Sequence, residues 1–301
     1  MLNSLPQKVR LVEVGPRDGL QNEKSIVTLE NKIIFIQMLE RAGLVNIEAT
    51  SFVRPEKIPQ MGDGRELCLA LKDSKANLIS LVPNLKGLEE AIKVGVKDIA
   101  VFTSTSNTFN KKNINATIDE SLIKIAEVMS LAKENKIRVR GYISTVFGCP
   151  YEGATSILEF IRISHFLKEH GAYEVSIGDT IGVANPLQVK NFIKTIKKEF
   201  PLTYFSMHFH DTRGMALANI LTSLEMGMTS FDSSAGGLGG CPYAVGALGN
   251  VATEDLVYLL ESLGIETGVD MKKLAEASVF IFDKLKKEIS SKYLKAWLCR
   301  S

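Results

Sequence analysis

Residues 9–43 read VRLVEVGPRDGLQNEKSIVTLENKIIFIQMLERAG: a short valine-rich run, a turn, and an amphipathic stretch. VRLVEV has strand composition, and Gly15-Pro16 ends it. LENKIIFIQMLERAG carries Ile33, Ile34, Gln37 and Met38 at helical spacing, with Gly43 as its terminator. The unit then recurs. Further strands are expected from Asn46 (NIEAT), Asn77 (NLISLVP), Asp98 (DIAVFTS), Arg138 (RVRGYIS), Tyr173 (YEVSIGD), Tyr204 (YFSMHFHD) and Thr229 (TSFDSSAGG). Helical patterns lie between most of them, among them TIDESLIKIAEVMSLAKENK, opened by a Thr117-to-Glu120 capping box. Eight such units in 301 residues fit one α/β (β/α)8 TIM barrel. A doubly wound sheet fits less well, because no GxGxxG phosphate loop follows the first strand. The whole chain reads as a single catalytic domain, with a barrel core over about 8–250 and extra C-terminal helices over about 251–301 covering one end.

Composition narrows the class of function. A net charge of only +2 gives no field for wholesale nucleic-acid binding, and Lys111-Lys112 and Lys197-Lys198 read as solvated helix ends or loops. No apolar run approaches the roughly 20 residues that span a membrane. MLNSLPQKVR is too short and polar for a signal peptide and too short for a typical transit peptide. Cys68, Cys149, Cys241 and Cys299 form no CxxC, which points to a reducing compartment and away from a zinc cage or disulfide framework. The expectation is a cytoplasmic protein with no nucleic-acid or membrane partner.

In such a barrel the active site forms at the C-terminal ends of the strands. Those ends carry Arg17 and Asp18 with Gln21 just beyond, then Glu48, Thr50 and Ser51, then Cys149, Asp179, His208 and His210. The eighth opens into AGGLGGCPYAVGALGN, which holds Cys241 and Asn250. Residues i and i+2 on a strand share a face, so the imidazoles of His208 and His210 can meet one divalent cation. His165 and His170 fall on a helical pattern and read as surface residues. The first strand neighbours the eighth when a barrel closes, so Asp18 is either a hard anionic ligand beside the histidines or a turn stabiliser. Asn250 can add a neutral oxygen; the mixed set suits Mg2+ or Mn2+, and the residue types also admit zinc. Arg17 either faces a carboxylate or oxyanion or pairs with Glu48 or Asp179. Cys241 is either an acid–base group on a lid or a buried small residue.

The segments VEVGPRDGLQNE, IEATSFVRPEKIPQM, GYISTVFGCPYEG, SIGDTIGVANP, HFHDTRGMALAN and GGLGGCPYAVGALGNVATEDLVYLL together resemble the 3-hydroxy-3-methylglutaryl-CoA (HMG-CoA) lyases. The resemblance runs from about residue 8 to about residue 285; the HxHDT segment and the GGLGGCPYA loop make it specific, which a barrel alone would not. It implies a metal-dependent lyase that cleaves HMG-CoA to acetyl-CoA and acetoacetate. The implied chemistry is retro-Claisen scission of the C2–C3 bond, with the cation lowering the pKa of the C3 hydroxyl. Carried onto this chain, the resemblance puts Asp18, His208, His210 and Asn250 around Mg2+ or Mn2+, with no organic prosthetic group. It gives Arg17 the enolate of acetyl-CoA, Glu48 and Asp179 the polar network, and Cys241 a part in proton transfer. The base for the hydroxyl proton stays open among His208, Asp18 through water, and Cys241. Gln21 and Ser51 are expected at the substrate, and Lys24 either at a CoA phosphate or in solvent. The expected partner is a small-molecule acyl-CoA, bound by a homodimer or higher homo-oligomer. Cys299 matches, in position only, a C-terminal cysteine that links subunits in some family members. Alternatives are a lyase for a longer-chain 3-hydroxyacyl-CoA, a condensing acyltransferase of the same superfamily, or a scaffold whose metal set is idle.

Overall fold

The computed structural model describes residues 5–240 and 249–299. Its strands are β1 (Arg10–Glu13), β2 (Asn46–Ser51), β3 (Asn77–Leu81), β4 (Asp98–Ser104), β5 (Arg138–Ser144), β6 (Glu174–Asp179), β7 (Phe205–Phe209) and β8 (Ser230–Ser233). All pair in parallel and in chain order, and β8 closes on β1 from Arg10↔Ser230 to Glu13↔Ser233. Helices α1 (Leu29–Arg41), α2 (Gly64–Ala70) and α3 (Leu85–Lys93) follow β1, β2 and β3; α4 (Asn107–Ile114) and α5 (Ile118–Glu134) follow β4. Next come α6 (Ile157–Glu169), α7 (Pro186–Ile196) and α8 (Ala216–Glu225) after β5, β6 and β7, and α9 (Thr253–Ser262), α10 (Met271–Leu285) and α11 (Lys292–Leu298) after β8. The chain is a (β/α)8 barrel, and the eight strands lie at the eight segments expected from the sequence. Among the described residues no helix is long and apolar enough to cross a membrane.

Local sequence sets the helix ends. Thr117 and Glu120 form the expected capping box of α5, and Asn185 with Gln188 repeats it ahead of Pro186 in α7. Gly43 has φ +95 just past α1, and a Cβ there would stand 2.2 Å from Gly268 O, so only glycine fits. The inward face of α1 differs from the expected one. Lys32, Phe35, Ile36 and Leu39 are buried, Ile33, Ile34 and Met38 are partly buried, and Gln37 is exposed. Two apolar stripes lie side by side here, and the one containing Phe35 meets the barrel; Lys32 is accommodated because its ammonium bonds Gln60 O and Asp63.

Strand alternation divides the core. Outward residues of the strands pack under the helices, while Val12, Val14, Ile79, Leu81, Ala100 and Tyr142 form a separate cluster in the bore. The rest of the bore is polar: Arg140 is fully buried between Glu174 and Asp232. Beyond β8, α10 packs along α1, and Ser290 and Ser291 bond the backbone carbonyl of Gly236 through side chain and main chain. The C-terminal helices are thereby anchored at the C-terminal end of β8.

Glu254, on α9, accepts from Gly236 N at 2.8 Å and from the Ser278 hydroxyl. Burial outweighs these bonds and pushes its pKa from 4.5 to about 7. The folded chain therefore holds this proton over a range where the unfolded chain has lost it. Stability contributed by the protonated form is complete below the unfolded pKa and declines as pH rises toward the folded one. Glu254→Gln keeps both bonds without the proton. It is expected to retain on the order of 2 kcal/mol that the natural chain loses between about pH 5 and pH 8. Denaturant melts across that range check this; parallel losses in both proteins would contradict it.

Candidate active site

The turn after β1 builds one wall of a cavity at the C-terminal ends of the strands. Residues Gly15–Gly19 make a single π-type turn, closed by Gly19 N donating to Val14 O at 3.1 Å, with Pro16 at its start. Gly15 N and Ala235 N both donate to Glu13 Oε1 at 2.8 Å, and Thr253 donates to Glu13 Oε2, so this buried carboxylate ties the turn to the end of β8. The cavity is about 220 Å3 and is lined by Arg17, Asp18, Gln21, Tyr142, His208 and His210, among others.

Arg17 is buried and doubly held. Its Nη1 donates to Asp18 Oδ1 at 2.8 Å, and its Nη2 lies 2.7 Å from Glu48 Oε2. The second contact is close but off line, and neither Glu48 oxygen has an aligned hydrogen-bond donor. Burial accordingly pushes the Glu48 carboxyl up in spite of Arg17. Burial also works against the Arg17 charge, but Glu48 and Asp18 overcome it and hold the guanidinium ionised. The Arg17 Nε is buried without a partner. Both sequence alternatives for this residue thus meet: it pairs with Glu48 and also faces the cavity, while Asp179 is not among its partners.

Asp18, His208 and His210 each present a ligand atom, and these atoms lie within 4.8 Å of one another. His208 is on β7. His210 lies just past the strand, in an isolated bridge with Asn250. That bridge brings Asn250 to the site, where its Nδ2 donates to Asp18 Oδ2 at 2.8 Å and to Leu238 O at 3.2 Å. Burial disfavours the Asp18 charge, but Arg17, His208, His210 and Asn250 outweigh it and hold the pKa at about 2. Burial and His208 push His210 down to about 4, so its ring is neutral, and its Nδ1 is buried with no hydrogen-bond partner. One ionised carboxylate, one neutral imidazole with an orphaned nitrogen and a second imidazole make a donor set that fits a divalent cation.

Other expected residues are placed as follows. The Gln21 side chain lines the cavity and its Oε1 is buried without a partner. Ser51 is buried at the end of β2 and lines a different, outer groove. Asp179 accepts from Val183 N and Ala184 N at 2.9 and 3.1 Å, so it shapes its own loop; burial raises its pKa to about 6. Lys24 is exposed. Cys149 donates to the Ser106 hydroxyl at 3.1 Å, and Cys299 is free and exposed. His165 is partly exposed, its ring against Phe200, and His170 caps α6 at the surface. Cys241 lies outside the described residues.

Two residues the sequence reading passed over stand behind the histidines. Asp232 of β8 is in register with His208, and its carboxylate lies 3.2 Å from His208 Nδ1. Arg140 of β5 bridges Asp232 and Glu174 and donates to the Tyr142 hydroxyl at 2.7 Å. The available signal was a charged residue inside each of three strands that otherwise read as buried: Arg140, Glu174 and Asp232.

A second space of about 450 Å3 shares Gln21, Leu81, Phe102 and Asn113 with the cavity. Its outer rim carries Arg54, Lys57 and Lys124.

With this geometry in view, the chain can be set beside known proteins. The HMGL-like family model matches residues 8–281. The chain is 49% identical over 296 residues to the mitochondrial hydroxymethylglutaryl-CoA lyase of Homo sapiens, covering 98% of this chain and 91% of that one. The structure of the hydroxymethylglutaryl-CoA lyase from Pseudomonas aeruginosa superposes with a TM-score of 0.96 at 47% identity, over 100% of each chain. An HMG-CoA lyase from Acinetobacter baumannii, solved with coenzyme A and 3-methylmalate, gives 0.91 at 36% identity, over 96% of this chain and 95% of that one.

Proposed function

Since the chain belongs to the HMGL-like family, we propose that it is a divalent-metal-dependent lyase that cleaves (S)-HMG-CoA to acetyl-CoA and acetoacetate. The observation that carries this reading is the convergence of Asp18, His208 and His210 beside a buried, fully charged Arg17 at one cavity. Asp18, His208 and His210, with Asn250 completing the set, would hold Mg2+ or Mn2+. Such a cation polarises the C3 hydroxyl and makes its proton easier to remove.

The chain's own groups supply the rest. Breaking C2–C3 leaves the bonding pair on C2, as the enolate of the acetyl thioester. A fixed guanidinium at the thioester oxygen meets charge that exists only after the bond begins to break, which lowers the barrier rather than tightening ground-state binding. Glu48 and Asp18 hold Arg17 from two sides, so little reorganisation is needed. Tyr142, whose phenol burial keeps neutral, places its ring 5.7 Å from the guanidinium and helps confine it. Cys241 is proposed to carry a proton to or from the reacting atoms. The rim of Arg54, Lys57 and Lys124 gives phosphates of an acyl-CoA a cationic bank, with the acyl end reaching the cavity past Gln21.

Purified protein is expected to release acetoacetate from HMG-CoA with Mg2+ or Mn2+ present, to lose that activity in excess chelator, and to regain it on readdition. Absence of acetoacetate under metal-replete conditions would sink the proposal. A panel including longer 3-hydroxyacyl-CoA homologues identifies the preferred C3 substituent.

A further inference from the structure

We propose that Asp232 is a positioning residue that fixes the tautomer of His208, placing the ring proton on Nδ1 and leaving Nε2 bare for the cation. The inference rests on His208 being a metal ligand, as in the functional reading above.

Asp232 is held through both carboxylate oxygens. Its Oδ1 accepts from Arg140 Nη2 at 2.7 Å and from the Ser206 hydroxyl at 2.8 Å. Its Oδ2 accepts from the Ser176 hydroxyl at 2.7 Å, from Arg140 Nη1 at 3.2 Å, and lies 3.2 Å from His208 Nδ1. Arg140 and the Asp232 side chain are both fully buried. A carboxylate gripped through both oxygens by a guanidinium is anionic and can only accept. Any group that bonds it must donate, so a neutral His208 carries its proton on Nδ1. Four strands contribute to this arrangement: β5 gives Arg140, β6 Ser176, β7 Ser206 and His208, and β8 Asp232. Arg140 is fixed in turn by Glu174 through Nε at 2.6 Å. The carboxylate is therefore immobile, and the ring it addresses is held in orientation as well as in tautomer.

The same inventory predicts what an isosteric amide does. In Asp232→Asn one oxygen becomes a donor. Arg140 donates to both oxygens and cannot accept, so the amide oxygen takes the Oδ1 place, where the shorter bond from Arg140 Nη2 and the one from Ser206 are kept, and the longer contact of Arg140 Nη1 at 3.2 Å is given up. The amide nitrogen then occupies the Oδ2 place. Ser176 can rotate its hydroxyl to accept from it. His208 must also accept, through Nδ1, and its proton moves to Nε2, the nitrogen meant for the cation.

The test is two-bond 15N–1H correlation spectroscopy of imidazole-labelled, metal-free protein, at a pH where the rings are neutral, together with Mn2+ titration. The chain has only four histidines, so His208→Gln suffices to assign the resonance. The natural chain is expected to show the Nδ1–H tautomer at His208. Asp232→Asn is expected to show Nε2–H and to bind Mn2+ at least about tenfold more weakly. Ser206→Ala, which removes one bond to Asp232 but not the one to His208, is expected to keep the natural tautomer. An Nε2–H tautomer in the natural chain overturns the proposal even if the Asn variant does not fold. So does an Asn variant with unchanged tautomer and Mn2+ affinity, whatever its melting temperature. None of these readouts involves HMG-CoA, so a wrong substrate assignment would leave them intact.

Discussion

Asp18→Asn is expected to lower kcat for acetoacetate release by about three orders of magnitude, equivalent to about 4 kcal/mol at the transition state, while the barrel stays folded. Asp18 is the only anionic member of the group formed with His208 and His210. An amide there still offers an oxygen, but not the charge that offsets a divalent cation. It also loses the anionic partner of Arg17 Nη1. Stability should change little by comparison. Asp18 is partly exposed, and of its two donors Arg17 can keep the asparagine oxygen while Asn250 Nδ2 gives up this bond and retains the one to Leu238 O. A cost of about 1 kcal/mol is the expectation for one rearranged hydrogen bond. Steady-state kinetics at saturating Mn2+ and a thermal melt separate the two effects. A variant retaining a tenth of the natural kcat, or one that no longer melts cooperatively, contradicts this assignment.

The legibility of the site in the sequence follows the same division between local and non-local information. The eight strands were readable because each is a short run of β-branched or alternating apolar and polar residues between turn signals. Barrel closure then made Asp18, His208 and His210 neighbours without any distance being known. The capping boxes at Thr117 and Asn185 depend on residues three apart and are equally local. The inward face of α1 was not decided locally. Ile33, Ile34 and Met38 are as apolar as Phe35, Ile36 and Leu39, and only packing selects between the stripes. His210 was expected on the strand with His208, yet the strand ends at Phe209 and the bridge to Asn250 holds His210 instead. Least legible was the charged half of the bore. Arg140, Glu174 and Asp232 come from strands far apart in sequence, and each alone reads as an anomaly in a buried strand. Only the register that sets Asp232 against His208 shows that they satisfy one another. The same holds for Glu13, whose acceptors serve an amide and a hydroxyl more than 200 residues away as well as its own turn.

Arg17 offers the sharpest separation of catalysis from folding, because the two roles predict opposite behaviour in a double variant. Arg17→Met removes the cation beside Glu48, a carboxylate with no exposed surface and no aligned donor of its own. A buried ion pair broken from one side costs about 3–5 kcal/mol, much of it the stranded charge, so a clear fall in stability is expected. Adding Glu48→Gln removes that charge and should restore most of the loss. Activity should not follow. The guanidinium faces the cavity, and loss of a fixed donor to a developing oxyanion costs about 10²–10³ in kcat. The single and the double variant should therefore both turn over HMG-CoA at least about a hundredfold more slowly, with KM much less affected, because the interaction lost is made in the transition state rather than with bound substrate. Arg17→Lys is the stricter comparison: it keeps the charge, but an ammonium is a point donor that cannot span Asp18 and Glu48 as the 2.8 and 2.7 Å contacts require. It should be nearly as stable as the natural chain and still slow. If the double variant, Arg17→Met with Glu48→Gln, regained both stability and turnover, the positive charge would serve only to neutralise Glu48, and the enolate would have to be stabilised by another group at the cavity.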